Sequence, residues 1–351
     1  MRALLLACLL FITPLSAQNT NQRIEHTVFG DLVIEDPLVI DLLDHPVMTR
    51  LKGIDQSGAP RYFTDRLPPY SRYIHSVGVY ALLKRVGVTQ AEQIAGLLHD
   101  ASHTVFSHTG DWVFQDDQSG DSYQDNIHEW YLSKMNVGDV LKPHGLSISD
   151  VLHKQDGFQG LEQDYPDMCA DRIEYNLSTG LLHGNITQKD VDHIASDLKF
   201  EGNKWFFTNP KTARQFANLS LEFTETFWGS AWNEAVNRWS GEIIKRAFDL
   251  GLVTKDEFHF STDEPILEKI RSSKDPEIMK LVDMCEHYKD HFKEVDSKPY
   301  DLETHPKFRV IDPLVQDQGK LVRLTSLDAD FKAKYDQLKD RMKSGIKIKF
   351  K

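Results

Sequence analysis

The chain has 351 residues, 40% of them hydrophobic and 27% charged, an ordinary balance for a globular protein of one large domain or two smaller ones. Its formal net charge of −12 argues against a nucleic-acid-backbone binder, and any phosphate site must be made locally positive by metal, Arg or His. Three cysteines are too few for a disulfide framework, so size and core packing must hold the fold.

In chain order, residues 1–17 read as a secretory signal. Arg2 gives a basic start, Ala3 to Ile12 an apolar core, and Leu15-Ser16-Ala17 a cleavage site before Gln18. The apolar run falls far short of the roughly 20 residues that a membrane span needs. Export to a periplasm or the medium is therefore expected. Cys8 would leave with the signal, while Cys169 and Cys285 remain. Glycosylation sequons occur at Asn176, Asn185 and Asn218. Asn176 lies in a segment assigned below to the active site, where a glycan would not fit, so an exported bacterial protein matches better than a glycosylating pathway.

The alternating run Val28–Ile34 suits a small strand or hairpin edge. Leu38, Leu42 and Leu43 share one face of a helix that Pro37 can begin and Pro46 ends or interrupts. Ile54–Gly58 reads as a turn. Ser71 is a candidate N-cap for a helix with Ile74, Val77 and Ala81 as apolar stripe and Gly87 as stop. Arg72, His75 and Val79 fall on a second face. Thr89 and Glu92 form a capping box that opens a helix ending at His99-Asp100. Residues 116–122 read as a loop, and Asn126-Ile127-His128 begins another helix. After Pro166, Ile173 and Leu177 make an apolar pair, with Asp171, Tyr175 and Ser178 on another face.

Beyond residue 195, Leu198–Phe207 predicts a β-hairpin turned at Gly202-Asn203. Long helical patterns follow over residues 212–250 and 263–293, then short strand-like runs over 297–324. This half shows no chemistry of its own. Its aromatics (Phe216, Phe223, Phe227, Trp228, Trp232, Trp239) recur at helical spacing and read as core. The basic run Lys343–Lys351 reads as a solvated tail. The chain divides into residues 23–195, which hold the motifs, and a mainly helical region 196–351.

The chemistry gathers around His99-Asp100, a nitrogen and a carboxylate fixed side by side, with His103 and His108 close behind. Alone, each residue has a bland explanation: His75 as a bonded core histidine, Asp171 as the partner of Arg172, His103, His108 and His128 as loop, capping or surface residues. Jointly, His75 in mid-helix, His99-Asp100 24 residues on, and Asp171 on a later helix form an ordered pattern that outweighs these separate explanations.

This order resembles the HD phosphohydrolase superfamily, and within it the branch of the deoxynucleoside triphosphate triphosphohydrolases and the SAM-and-HD-domain dNTPases. The resemblance rests on Arg72-Tyr73-Ile74-His75, Leu98-His99-Asp100-Ala101-Ser102-His103 with His108, Asn126-Ile127-His128-Glu129 and Asp171-Arg172-Ile173-Glu174-Tyr175, and it covers about residues 28–180. It implies a mainly α fold: an HD-domain helical core with a small β-hairpin and a C-terminal helical extension. It also implies a metal held by His75, His99, Asp100 and Asp171. Two carboxylates converging in a cleft need such a cation between them. The ligand types accept iron, manganese, zinc, nickel or cobalt, and a second cation, Mg²⁺, is expected to accompany the substrate phosphates.

By the same likeness His128 is the general acid, held by a carboxylate assigned to Asp111, and His103 belongs to the catalytic group. His108 and Arg72 would contact phosphate oxygens, with Arg172 a basic residue near them. Gln56 would meet the sugar hydroxyl and Tyr175 would pack on the sugar. The sequence departs from the branch at Ser102 and Thr104, where glycines usually flank the histidine, and at Ser178-Thr179, where a basic and acidic pair is usual. The implied activity is hydrolysis of a (deoxy)nucleoside triphosphate to nucleoside and triphosphate by metal-activated water. The alternatives are a phosphomonoesterase or phosphodiesterase of the same fold, favoured by export away from cytosolic nucleotides, and a non-catalytic metal-binding protein, which the full set of ligands with His128 disfavours. The expected partner is a small phosphorylated molecule, with no clear nucleic-acid or membrane partner; a homo-oligomer is compatible with the sequence.

Overall fold

A computed structural model describes residues 22–114, 122–154 and 156–351. The signal-like segment, and the loop read over 116–122 apart from Ser122, lie outside the described residues. The fold is mainly α with small sheets at its edges, as expected. It opens on a hairpin of β1 (Arg23–Thr27) and β2 (Gly30–Ile34). Asp36 caps α1 (Pro37–Asp44), and Pro46 starts a new short turn because it has no N–H to continue the ladder.

Helix α2 (Arg72–Val86) begins on Ser71, whose Oγ accepts from Ile74 N, and ends on Gly87 at φ +72°, a left-handed cap that glycine adopts without strain. The expected apolar stripe needs correction. Ile74 is 44% exposed, while Arg72, His75 and Val79 are buried with Tyr73, Val77 and Leu83. The reason is position: α2 is packed by the hairpin, α3 and α5, so its polar face turns inward to the site together with Val77, and of the expected stripe Ile74 is left exposed and Ala81 partly so. Helix α3 (Gln90–Leu98) starts with Thr89 Oγ1 accepting from Glu92 N. Only half of the capping box forms, because the Glu92 carboxylate instead accepts from Gly160 N and Leu161 N at 2.7 and 3.0 Å.

Helix α4 (Tyr123–Lys134) is capped by Ser122, four residues before the expected start, and α5 (Ala170–Leu182) carries Asp171 in its first turn. β3 (Leu198–Glu201) and β4 (Lys204–Phe207) form the expected hairpin, with Gly202 and Asn203 both at positive φ, the pairing that a tight two-residue turn requires. Then come α6 (Pro210–Phe223), a π turn over Thr224–Trp228, α7 (Ala231–Asp249), α8 (Asp263–Ser272) and α9 (Pro276–Glu286).

The C-terminal part adds β5 (Phe292–Glu294), β6 (Leu302–Thr304), β7 (Leu314–Asp317), β8 (Lys320–Arg323), α10 (Ala329–Lys343) and β9 (Ile346–Phe350). β7 joins β4 in parallel, giving the order β3-β4-β7-β8, and β9 lies between β5 and β6. The basic tail is thus a paired strand and not a solvated one. Ile346 and Ile348 are buried and the intervening Lys347 is only partly exposed, as strand alternation dictates.

Two hydrophobic cores result. The first packs α1, α2, α3, α5 and α6 with Val310, Ile311 and Phe331; the second packs Ile54, Phe63 and Phe106 with Trp239, Phe258, Ile270, Ile278 and Ile348. Each core draws residues from both sides of position 195. A cleft lined by elements of both holds the motif residues.

Candidate metal centre and substrate cleft

Three helices bring the central ligands together. α2 supplies His75 from its first turn, α3 runs out into His99 and Asp100, and α5 supplies Asp171. His75 Nε2 lies 3.2 Å from His99 Nε2 and 3.0 Å from Asp171 Oδ1, and His99 Nε2 lies 3.6 Å from that same oxygen. Both rings are fixed from behind. His75 Nδ1 bonds the Glu174 carboxylate, which also accepts from Tyr70 Oη and, at 2.6 Å, from Ser178 Oγ. His99 Nδ1 donates to the Gly96 carbonyl at 2.7 Å. With the rear nitrogens bonded, the two Nε2 atoms are left to face a common point, the arrangement that prepares histidine for a metal.

Asp100 stands beside this trio. Its Oδ1 is 3.5 Å from His99 Nε2 and 3.3 Å from His103 Nε2, while its Oδ2 is 3.7 Å from His75 Nε2 and bonds Arg72 Nη1 at 2.6 Å. Burial disfavours charge on His75, but Glu174, Asp171 and Asp100 outweigh it and hold its pKa up at about 10. Burial also works against the Asp171 carboxylate, yet His75 and His99 hold it below its ordinary range. A field that retains positive charge this strongly suits a cation. His75, His99 and Asp171 offer ligand atoms within 4.8 Å of one another, and two imidazoles with carboxylates fit a divalent transition metal. Glu162, Cys169 and Asp171 meet the same spacing but fit poorly. Glu162 is ion-paired with Arg172 at 2.8 Å, and burial pushes the Cys169 thiol well up.

The expected substrate-facing residues are brought to the same place. Arg72 bonds Ser107 Oγ at 2.7 Å and the Gln56 carbonyl at 3.3 Å, with Nη2 3.4 Å from His108 Nε2. Burial and the nearby Arg72 push His103 down to about 3, so it is neutral at pH 7. One expected contact needs correction: Asp111 does not hold His128. Its Oδ1 accepts from Tyr123 N at 2.7 Å and its Oδ2 lies 3.8 Å from His108 Nδ1, so the carboxylate is spent on the start of α4 and on His108. His128 Nδ1 lies 2.9 Å from Ser102 Oγ, which gives the departure from glycine at 102 a purpose. The His128 ring packs edge-on to His153, centroids 4.7 Å apart, and His153 Nε2 lies 3.2 Å from Asp125 Oδ1. His128 Nε2 is buried and has no hydrogen-bond partner among the described residues.

The cleft has a volume of about 1120 Å³. Gln56, Arg72, His99, Asp100, His103, His108, Asp111, Asp171, Arg172 and Tyr175 line it, while His75 and His128 stand behind the wall. Arg172 is already engaged: it bonds the Asp167 carbonyl and Glu162, both at 2.8 Å, and stacks 3.8 Å over the Tyr165 ring. The Tyr175 ring lies 6.4 Å from His75 and 5.1 Å from Trp228.

Several wall residues carried no signal in the sequence: Asp125, His153, Lys204 and Arg309. The reading of the C-terminal aromatics as core holds for Phe216, Phe223 and Trp239, but Phe227, Trp228 and Trp232 also line the cleft. Their spacing matches a helix face, and spacing alone does not say whether that face meets core or cavity. Asn176, the first of the three sequons, is fully buried, its Nδ2 bonded to the Arg172 carbonyl at 2.8 Å, so no glycan can be attached there in this fold.

No family model matches the chain. Uncharacterized protein YdhJ of Bacillus subtilis is 30% identical over 330 residues, covering 93% of this chain and 98% of that protein. Metal-dependent phosphohydrolase cns2 of Cordyceps militaris is 28% identical over 85% of this chain and 86% of its own. A deoxynucleoside triphosphate triphosphohydrolase SAMHD1 homolog of Dictyostelium discoideum is 29% identical over 154 residues, 39% of this chain and 29% of that one. The crystal structure of a phosphohydrolase from Bacteroides thetaiotaomicron shares the fold with a TM-score of 0.66 at 15% identity, over 88% of this chain and 94% of its own. With its His-Asp centre and these relatives, the chain belongs to the HD-domain metal-dependent phosphohydrolase superfamily.

Proposed function

We propose that this phosphohydrolase acts on a (deoxy)nucleoside triphosphate and releases nucleoside and triphosphate. The observation that carries the reading is the meeting of His75, His99 and Asp171, with Asp100 beside them, at one end of a cleft large enough for a nucleotide and lined by Arg72, His103 and His108. His75, His99, Asp100 and Asp171 would hold the metal. Once bound, it supplies an activated water and polarises phosphorus.

The protein's own groups do the rest. Arg72, aligned by Asp100 and Ser107, and His108 bind phosphate oxygens as charge-assisted donors. Neutral His103 completes that wall. His128, oriented through Nδ1 by Ser102, gives a proton from Nε2 to the leaving oxygen. Burial and neighbouring His153 and His99 keep His128 neutral in the free site; the negative charge of an arriving phosphate favours the protonated ring. Gln56 and Tyr175 meet the sugar. Thr179 lines the cleft where the dNTPase branch carries an acidic residue, which favours as a second reading a monoester or diester with a different organic part.

The test is a substrate screen on metal-reconstituted protein, reading phosphate, triphosphate and nucleoside separately beside an Asp100→Ala control. Triphosphate with nucleoside, lost in the control, is the expected result. Phosphate from monoesters alone would replace the triphosphate reading with the second one. Residues 1–17 are proposed to direct export, tested by whether the chain appears outside the cytoplasm shortened near Ala17.

A further inference from the structure

Arg309 lies on the connection between β6 and β7, immediately before Val310 and Ile311, which are fully buried in the first core. That anchorage fixes a cation in the cleft wall beside Tyr165, Asp171, Arg172 and Tyr175. The two arginines differ in what surrounds them. Arg172 is neutralised by Glu162 and stacked on Tyr165. Arg309 forms no ion pair among the described residues; the Tyr165 and Tyr175 hydroxyls, 3.3 Å apart, belong to the same cleft wall. The acids within reach of its field, Asp171 and Glu234, are already engaged, Asp171 with His75 and Glu234 with Thr304 Oγ1 at 2.5 Å. A half-buried guanidinium that makes no ion pair of its own keeps its donors open to a bound anion.

We infer that Arg309, with Lys307 of the same connection, forms an anion subsite for the phosphates of the substrate beyond the one that is cleaved. Arg72 is tied to Asp100 and Ser107, and Arg309 is held in the cleft wall by the buried Val310 and Ile311 that follow it. Two fixed positive groups therefore flank the His-Asp centre at separate points, a pattern that fits a chain of phosphates better than a single one. The planar fork of Arg suits phosphate oxygens. The inference rests on the triphosphate reading above and moves the cation for the phosphate tail from Arg172 to a region without sequence motifs.

The experiment is titration calorimetry of the full-length protein with inorganic triphosphate and, separately, inorganic orthophosphate. It compares wild type, Arg309→Ala and Arg309→Lys, with thermal melts to show that each variant is folded. Arg309→Ala should weaken triphosphate binding by about tenfold or more, the loss of one charged hydrogen-bonding partner, and change orthophosphate binding by less than about threefold, with Arg309→Lys in between. Equal losses for both anions, no loss for either, or wild-type protein that binds neither would overturn the subsite. The two proposals fail separately. Wild-type protein that binds triphosphate through Arg309 but cleaves no nucleoside triphosphate sinks the substrate reading. Cleavage of nucleoside triphosphates with unchanged KM in Arg309→Ala sinks the subsite.

Discussion

Glu174 fixes the His75 ring from a fully buried position and is itself held by Tyr70 and Ser178. Glu174→Gln keeps the shape but removes the charge, and should lower metal affinity about 10- to 100-fold, read as metal retained after dialysis against a graded chelator. A general acid typically contributes about 10²- to 10⁴-fold in rate. If His128 gives the proton, His128→Ala should lose kcat in that range with KM little changed. Asp125→Asn, which loosens His153 behind it, should cost less; a larger loss in His153→Ala than in His128→Ala would transfer the acid to His153. His75, His99, Asp100 and Asp171 were legible because adjacent or helix-borne ligands leave a spaced pattern. Glu174 was not, since an acid three residues after Asp171 on a helix looks like any solvent-facing charge. His153 and Asp125 are 28 residues apart, and no local periodicity joins them.

The crossing of α2 and α5 depends on a missing side chain. A Cβ on Gly78 would stand 2.6 Å from Glu174 Oε1 and 2.7 Å from its Cγ, closer than packed atoms allow. Gly78→Ala should therefore destabilise the protein by about 1–3 kcal/mol and also reduce bound metal, because the displaced carboxylate no longer orients His75. Denaturant melts and metal content, measured together, check this; full metal content in a destabilised variant would separate the crossing from the centre. Caps and turns of these elements were readable, since Ser71, Gly87 and Gly202-Asn203 act through their own backbone. Which face of α2 points inward was not, because the hairpin, α3 and α5 decide it from outside the helix. The capping box at Thr89 failed by half for the same reason: Glu92 finds better donors in the loop at Gly160 and Leu161.

Across the whole molecule, the buried Asp263 carboxylate at the start of α8 joins distant parts. It accepts from Asp55 N at 2.8 Å, Phe106 N at 2.7 Å and Tyr62 Oη at 2.8 Å, and so braces the segments that carry Gln56 and His108. Burial pushes its pKa from 3.8 up to about 6 despite these donors. Below about pH 4 the group is protonated whether folded or unfolded and carries no penalty. As pH rises through its folded value, the unfolded chain releases the proton more readily, so this group's contribution to stability is lost between about pH 4 and 6, by roughly 3 kcal/mol. Asp263→Asn should remove that slope while lowering stability at every pH through its misplaced donor, as urea melts across the range would show; an unchanged slope would refute it.

The brace also orders events in time. Arg50 bonds the Ser261 carbonyl 211 residues away, and Asp55 meets Asp263 208 residues away. The side chains of the His-Asp centre and those that hold them reach no further than Ser178, whereas the wall facing it waits for α7, α8 and Arg309. On the ribosome, the nascent chain can gather its metal ligands while most of the C-terminal half is still unsynthesised, and it acquires a place for substrate only as synthesis nears its end.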